Sequence, residues 1–184
     1  MIYPIYTYGQ PILRKVAIPI ESTFPKLQTV IDNMADTLMH SDGIGLAAPQ
    51  IGLSIRLILI DLSLLADIKP DLKDFRRILI NPEIIEKSGE TIKEEEGCLS
   101  LPFIHEMVPR FNHIVIRYVD TAFTEHTETY DGYIARVIQH EYDHLEGHLF
   151  IDHISPIRRQ LIQSKLNSIL KGTTKCAYKI KAVK

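Results

Sequence analysis

The apolar positions of this chain follow two different periods, one typical of helices and one typical of strands. Between residues 22 and 43, apolar side chains recur three or four residues apart, which predicts an amphipathic helix that ends at Gly43. Short runs rich in β-branched residues, each bounded by Pro, Gly, Asp or Asn, predict four strands, at residues 55–60, 77–81, 113–119 and 123–129.

Two further helices are predicted in the last third of the chain. One begins near Asp131 and ends at Gly147, a residue type favoured just past a helix end. The other extends from Pro156 to Gly172 and carries an apolar stripe. The order helix, several strands, helix predicts an α+β fold, with mostly antiparallel sheets around a central helix and a C-terminal helix.

The composition is that of one globular domain rather than a disordered or fibrous segment. Of 184 residues, 45% are hydrophobic and 24% are charged. No run approaches the roughly 20 apolar residues of a membrane span, and the first residues lack the features of a signal peptide. Only Cys98 and Cys176 carry thiols, too few for a disulfide framework. We therefore expect a monomeric cytoplasmic protein.

The net charge of −2 conceals an uneven distribution of charged residues along the chain. Residues 156–184 contain eight Lys or Arg and no Asp or Glu, whereas residues 1–155 contain 13 Lys or Arg against 23 Asp or Glu. Such a basic segment can contact a polyanion. It can equally form a solvated helix face that balances the acidity of the rest, and both interpretations stay open.

The strongest chemical signal is the sequence His140-Glu141-Tyr142-Asp143-His144. Two histidines four residues apart on a helix share one face and can bind the same divalent ion. The glutamate beside the first histidine can reach a water molecule at that ion. The pattern predicts metal-dependent hydrolysis, and the alternative is a histidine pair that binds no metal.

A third metal ligand has to come from outside this helix. The extended metalloprotease motif places a third His where this chain has Phe150, and no acidic residue follows Asp152. Upstream, Cys98 lies in an extended segment bounded by Gly and Pro. A thiolate with two neutral imidazoles would complete a tetrahedral site with one open position. Taken alone, Cys98 would be interpreted as a small buried apolar residue.

A third segment, from Gly43 to Gly52, is rich in glycine. Its glycines allow another chain to approach closely, and Gln50 can offer an amide donor. Alone the segment is typical of a turn between a helix and a strand, and it lacks the Lys-Ser/Thr pair of a phosphate-binding loop.

Together these three segments resemble the peptide deformylase family, whose motifs are G-x-G-x-A-A-x-Q, E-G-C-x-S and Q-H-E-x-D-H. The matching segments here are residues 43–50, 96–100 and 139–144, in the same order. The resemblance implies a catalytic domain at residues 1–155. Residues 156–184 are not diagnostic, and we expect a basic helix and tail that pack on, or extend from, the same domain.

The resemblance implies removal of the N-formyl group from formyl-methionine at the start of nascent polypeptides, with release of formate. Cys98, His140 and His144 would hold one divalent metal. Iron is the expected native ion, with zinc, nickel or cobalt as substitutes. A water molecule activated by the metal would attack the formyl carbon, with Glu141 as the general base.

The same resemblance assigns the groups that bind the substrate. The Gln50 side chain and the Leu99 backbone N–H would donate hydrogen bonds to the carbonyl oxygen as it becomes negative. The substrate backbone and its methionine side chain would lie at Ile44 and Gly45. Val137 would line the same apolar pocket.

Two further positions near the motifs have expected roles. We expect Glu96 to pair with a cation such as Arg110. His105 stands where several relatives have an arginine that contacts the substrate, so this contact is left open.

The expected partners are formyl-methionine nascent peptides and, through the basic segment 156–184, the ribosome. No membrane association and no direct role on DNA are expected. Two rival functions remain: a zinc endopeptidase, against which the missing third His argues, and a non-catalytic metal-binding module, against which Glu141 and the open ligand position argue.

Overall fold

A five-stranded antiparallel sheet with one helix packed against it positions the candidate site. The computed structural model describes residues 1–183, and Lys184, one of the eight basic residues of the tail, lies outside the described residues. In chain order the strands are β1 (Ile5–Tyr6), β2 (Gly45–Ala47), β3 (Leu57–Asp61), β4 (Arg76–Gly97), β5 (His105–Val119), β6 (Glu125–Asp131) and β7 (Ile180–Lys181). The helices are α1 (Leu27–His40), α2 (Gly132–Leu145), α3 (Pro156–Leu161) and α4 (Gln163–Leu170).

The large sheet has the strand order β2-β3-β4-β5-β6, and each neighbouring pair is antiparallel. A small second sheet pairs β1 with β7 in parallel, which joins the two ends of the chain. The predicted α+β class with mostly antiparallel sheets is thus confirmed. Short 3₁₀ turns connect several elements, including residues 48–51 just after β2.

Helix α2 lies across the sheet and forms the centre of the main core. Its apolar residues, such as Val137 and Ile138, pack against sheet residues that include Ile58 and Ile116. The helix begins directly after β6, and Gly132, with φ of +57°, makes the turn between them. The predicted position of this helix is confirmed to within two residues at each end.

Strands β4 and β5 are much longer than predicted. The run at residues 77–81 was expected to end at Asn81-Pro82, but β4 continues to Gly97 through a bulge at this point. The extension pairs with residues 105–117 of β5 as a ribbon. Its β4 side chains are mostly exposed, whereas Glu106, Val108 and Arg110 of β5 are buried. Several of the buried positions of this ribbon are charged, namely Glu96, Glu106 and Arg110, so its sequence lacks the alternation of apolar and polar residues that reveals a strand.

Helix α1 is shorter than the predicted span of residues 22–43. It begins at Leu27 because Lys26 adopts a left-handed conformation, with φ of 59°, which a helix cannot continue through. Its buried face contributes Ile31, Met34 and Leu38 to a second core cluster.

The single C-terminal helix predicted at residues 156–172 is wrong in one respect, because the chain bends at Ile162 and forms two helices. The bend directs Ile162, Leu166 and Ile169 into a core cluster with Leu101 and Phe150. The other predicted stripe residues do not all pack, since Ile157 and Leu161 are 73% and 67% exposed. Within residues 1–183, no helix has the length and apolar character needed to cross a membrane.

Candidate metal centre and active site

His140 and His144 stand one turn apart on α2, and a thiol from the end of β4 meets them. The two imidazole rings are 5.3 Å apart between centroids, and Sγ of Cys98 lies 3.3 Å from Nε2 of His144. One ligand atom from each of the three residues lies within 4.8 Å of the others. Ligands of a tetrahedral ion at 2.0–2.3 Å are roughly 3.3 to 3.8 Å apart, so this donor set suits one divalent metal.

The orientation of His140 is set by a carboxylate behind it. Nδ1 of His140 lies 2.8 Å from Oε2 of Glu96, a buried residue of β4. When Nδ1–H donates this bond, the lone pair of Nε2 is left facing the candidate site, which is the tautomer that a metal requires. The ring of Phe150, which occupies the third-histidine position of the metalloprotease motif, stacks on His140 instead, at 6.0 Å between centroids.

Glu96 is the centre of a buried group of ion pairs. Arg110 donates to it at 2.9 and 3.0 Å, which confirms the expected pair, and Arg136 on α2 donates at 2.7 Å. Burial raises the pKa of Glu96, but its bonds with His140 and Arg110 outweigh burial and lower the pKa to about 2. Arg110 also pairs with Asp143 at 2.5 Å. The Glu96 carboxylate therefore stays ionised at neutral pH, and its hydrogen bond fixes the orientation of His140.

The surroundings of Cys98 favour the thiolate form of its side chain. Burial raises its pKa, but the charges of His144 and hydrogen bonds from His140 and His144 outweigh burial and bring the pKa to about 5. The thiolate is the form of cysteine that binds metals. The chemistry of this donor set therefore fits a thiolate-imidazole metal site.

Glu141 is buried beside the three candidate ligands, and its Oε2 atom contacts no hydrogen-bond donor in the described part of the chain. Burial is the main cause that raises the pKa of Glu141 to about 7. Its carboxyl group presses against Gly45, where an added Cβ atom would lie 2.8 Å from Cδ of Glu141. Such a group can accept and return a proton near neutral pH.

The Gln50 side chain places a hydrogen-bond donor on another side of the site, where Leu99 also lines the cavity. The side-chain oxygen of Gln50 accepts a bond from the Ala47 N–H at 2.8 Å, so its amide NH₂ faces Sγ of Cys98 at 3.5 Å and Oγ of Ser100 at 3.3 Å. Leu99 follows Cys98 in a tight turn that is closed by a bond from Leu101 N–H to the Cys98 carbonyl, at 2.9 Å.

These residues open into one cavity of about 470 Å³. The predicted site residues that line it are Ile44, Gly45, Gln50, Cys98, Leu99, Val137, His140 and Glu141. His144 is buried next to Cys98, with 1% of its surface exposed and Nε2 3.3 Å from Sγ of that residue. The structure thus brings all nine predicted site residues together.

Several lining residues were missed by sequence reasoning. Arg136 and Tyr133 precede His140 on the same helix, and their spacing of four and seven residues could have indicated a shared face. Phe103 lines the cavity at the turn into β5, beside His105, whose contact with the substrate the sequence analysis left open. The C-terminal residues 176–178 reach the cavity from the far end of the chain. No local sequence pattern predicts the contact of residues 176–178 with the cavity.

Comparisons with known proteins agree with this geometry. A family model described as polypeptide deformylase matches residues 2–160. A peptide deformylase of Christiangramia forsetii is 48% identical, over 98% of this chain and 96% of that protein. One of Flavobacterium johnsoniae is 47% identical over the same shares.

Solved structures give the same result. The crystal structure of a peptide deformylase from Legionella pneumophila has a TM-score of 0.83 at 35% identity, covering 96% of this chain and 99% of that one. That of the Thermotoga maritima enzyme has a TM-score of 0.76 at 42% identity, covering 85% and 99%. This chain belongs to the polypeptide deformylase family.

Proposed function

We propose that this chain hydrolyses the N-formyl group of formyl-methionine at the start of nascent polypeptides, at the cavity that contains Cys98, His140, His144 and Glu141. The observation that carries the proposal is the buried Glu141 carboxyl group beside a Cys-His-His donor set, at the base of an open cavity. A purely structural metal site would have no use for an adjacent proton acceptor or for an open approach.

Cys98, His140 and His144 would hold the metal, and we propose ferrous iron as the native ion, with zinc, nickel or cobalt as substitutes. When bound, a divalent metal polarises the formyl carbonyl and makes water a better nucleophile at neutral pH. The support for iron is the family resemblance, because a Cys-His-His set suits iron and zinc alike.

Glu141 moves the protons in this proposal. Its Oε2 atom accepts a proton from the attacking water and returns it to the leaving nitrogen of the methionine. The support is its position among the ligand residues and a pKa raised by burial to about 7, which balances the two transfers at neutral pH. Because the Glu141 carboxyl group is buried, its interaction with a developing charge is also stronger than it would be in water.

The Gln50 amide NH₂ and the Leu99 backbone N–H would stabilise the negative oxygen of the tetrahedral intermediate. The support is the bond that Gln50 accepts from Ala47, which fixes the direction of its NH₂ group before substrate binds. Donors that need no reorganisation are the most effective in this role.

Ile44, Gly45 and Val137 would bind the substrate backbone and the methionine side chain. The close packing of Gly45 against Glu141 supports a narrow cleft at the chemical end. A formyl carbon carries only hydrogen beyond its oxygen and nitrogen, so such a cleft would admit a formyl group and exclude an acetyl or peptidyl carbonyl by steric overlap.

The experiment that tests this function compares three substrates. We expect formate release from formyl-Met-Ala-Ser, no acetate release from acetyl-Met-Ala-Ser, and no cleavage of unformylated casein. Cleavage of casein would instead support an endopeptidase, and a protein that binds metal but turns over none of the three would be a binding module.

We also propose that the basic residues of segment 156–184 contact the ribosome in the cytoplasm, while residues 1–155 carry the catalytic residues. Exposed lysines such as Lys171 and Lys175 support this, since a polyanionic surface attracts them. The variant Lys171→Gln/Lys175→Gln should cosediment with ribosomes less than wild type at low salt. If the variant and wild type cosediment to the same extent, the proposed ribosome contact is wrong.

A further inference from the structure

The last described residues, 173–183, run back over the body of the protein without helical structure and bend at residues 177–178 before β7, and we call them the C-terminal strap. From Thr174 to Ile180, even-numbered residues are partly buried and odd-numbered residues are exposed. This alternation is typical of an extended chain with one face against the protein. Cys176 and Tyr178 therefore face inward, whereas Lys175 faces solvent.

The N-terminal segment holds the strap in place. The backbone N–H groups of Ile5 and Thr7 donate to the carbonyls of Lys179 and Lys181 at 2.8 and 3.2 Å. The side-chain amide of Gln10 adds a bond to the Ala182 carbonyl at 2.8 Å. The strap is thus an ordered part of the fold before any substrate binds.

The inward face of the strap reaches the active-site cavity. Cys176, Ala177 and Tyr178 line it, and the Tyr178 hydroxyl donates to the Leu99 carbonyl at 2.9 Å. Burial raises the pKa of Tyr178, so its hydroxyl keeps the proton that it donates. Since Leu99 is next to the candidate ligand Cys98, the strap contacts the rim of the site itself.

The position of the strap indicates which part of a substrate it would meet. Gly45 presses against Glu141, whereas an added Cβ atom on Gly43 would lie 3.0 Å from the side chain of Leu99. The Cα atoms of Gly43 and Gly45 are two residues apart along the chain, which is at most about 7 Å. With the formyl group at Glu141, the chain beyond methionine extends along residues 43–45 towards Leu99 and the strap.

We propose, resting on the deformylase function proposed above, that Cys176 and Tyr178 of the C-terminal strap form a wall of the cleft that contacts the peptide residues after formyl-methionine. The strap then adds affinity for peptides over single formylated residues, and it restricts the size of the side chain that follows methionine. Binding of this kind is equal in ground and transition states, so it appears in KM rather than in kcat.

The test measures kcat and KM for formyl-Met-Ala-Ser and for N-formylmethionine amide, which ends before the strap. Cys176→Trp adds bulk inside the cleft, and Lys175→Trp adds the same bulk one residue away on the exposed side. We expect Cys176→Trp to raise KM for the tripeptide about tenfold, with kcat and the amide hardly changed. Lys175→Trp should match wild type on both substrates.

A second variant guards against misfolding of the first. Tyr178→Phe keeps the ring and removes only the hydroxyl that anchors the strap to Leu99, and we expect KM for the tripeptide to rise about fivefold. If the variants slow both substrates equally, or change neither, the proposed wall is wrong. If wild type itself releases no formate from either substrate, the deformylase function fails instead.

Discussion

Nδ1 of His140 lies 2.8 Å from Oε2 of Glu96, so a carboxylate on β4 orients an imidazole on α2. The same carboxylate forms ion pairs with the buried guanidinium groups of Arg110 and Arg136. One residue thus links the geometry of the candidate metal site to the stability of the contact between helix and sheet.

Replacement of Glu96 by Gln should weaken both metal binding and the contact between helix and sheet. We expect metal affinity to fall about 10- to 100-fold, because the charged acceptor that fixes the tautomer of His140 is replaced by a neutral amide, which holds it less strongly. The free energy of unfolding should fall by about 3 to 5 kcal/mol, because Arg110 and Arg136 lose a buried counter-charge. Chelator competition and urea denaturation measure the two effects.

The control for this experiment is Glu90→Gln, an exposed position on the same strand. It should leave both quantities at wild-type values. A Glu96→Gln protein that binds metal as tightly as wild type would show that the His140–Glu96 contact does not support the site.

Replacement of Gln50 by Ala should remove one of the two proposed oxyanion donors. We expect kcat to fall about 10²- to 10³-fold while metal content stays at the wild-type level, since Gln50 is assigned no bond to the metal. Steady-state formate release gives kcat, and metal analysis gives the metal content. A fall of less than about threefold would exclude Gln50 from this role.

Replacement of Gly45 by Ala tests the narrow end of the cleft. The new Cβ atom would stand 2.8 Å from Cδ of Glu141, so the carboxyl group has to move. A displacement of this size typically costs about 10²-fold in rate. We expect this loss in kcat with an unchanged circular dichroism spectrum, and a fully active Gly45→Ala protein would contradict the packing.

The pH dependence of stability should include a contribution from Asp152, which pairs with Arg14 and Arg159. Burial raises its pKa, but bonds from Arg14 and from the Leu149 N–H outweigh burial, so the pKa is lowered. Because the folded pKa lies below the unfolded value of about 3.9, this stabilisation is complete well above pH 4 and is lost as the pH falls.

Asp152→Asn should therefore reduce the free energy of unfolding by about 1 to 2 kcal/mol at pH 7 and by less at pH 3.5. Urea denaturation at both pH values measures this, with the exposed Asp74→Asn as the matched control. An equal loss at both pH values would show that the charge of Asp152 is not the cause.

The parts of the site that were predictable from sequence are those in which local geometry determines the contact. His140 and His144 share a helix face wherever the helix lies, so their pairing follows from their spacing. Cys98 was predicted only because the pair lacked a third ligand. The pairing of Glu96 with Arg110 was also expected, and these residues lie on paired strands.

The parts that were not predictable depend on long-range packing. Arg136 was missed because its partner, Glu96, is 40 positions away in sequence. The strap was missed because its path is set by bonds between the two ends of the chain, such as Ile5 N–H to the Lys179 carbonyl. The ribbon of β4 and β5 buries charged residues such as Glu96, Glu106 and Arg110, so no alternation of apolar and polar residues reveals it in the sequence.

Glu141→Gln is the measurement that tests the central claim most directly, because the substitution keeps the size of the side chain and removes its ability to accept a proton. Metal content and formate release from formyl-Met-Ala-Ser are measured on the same preparations of wild type and variant. We predict wild-type metal content with formate release lowered at least about 10²-fold. A variant that retains its metal and still releases formate at the wild-type rate would contradict the account.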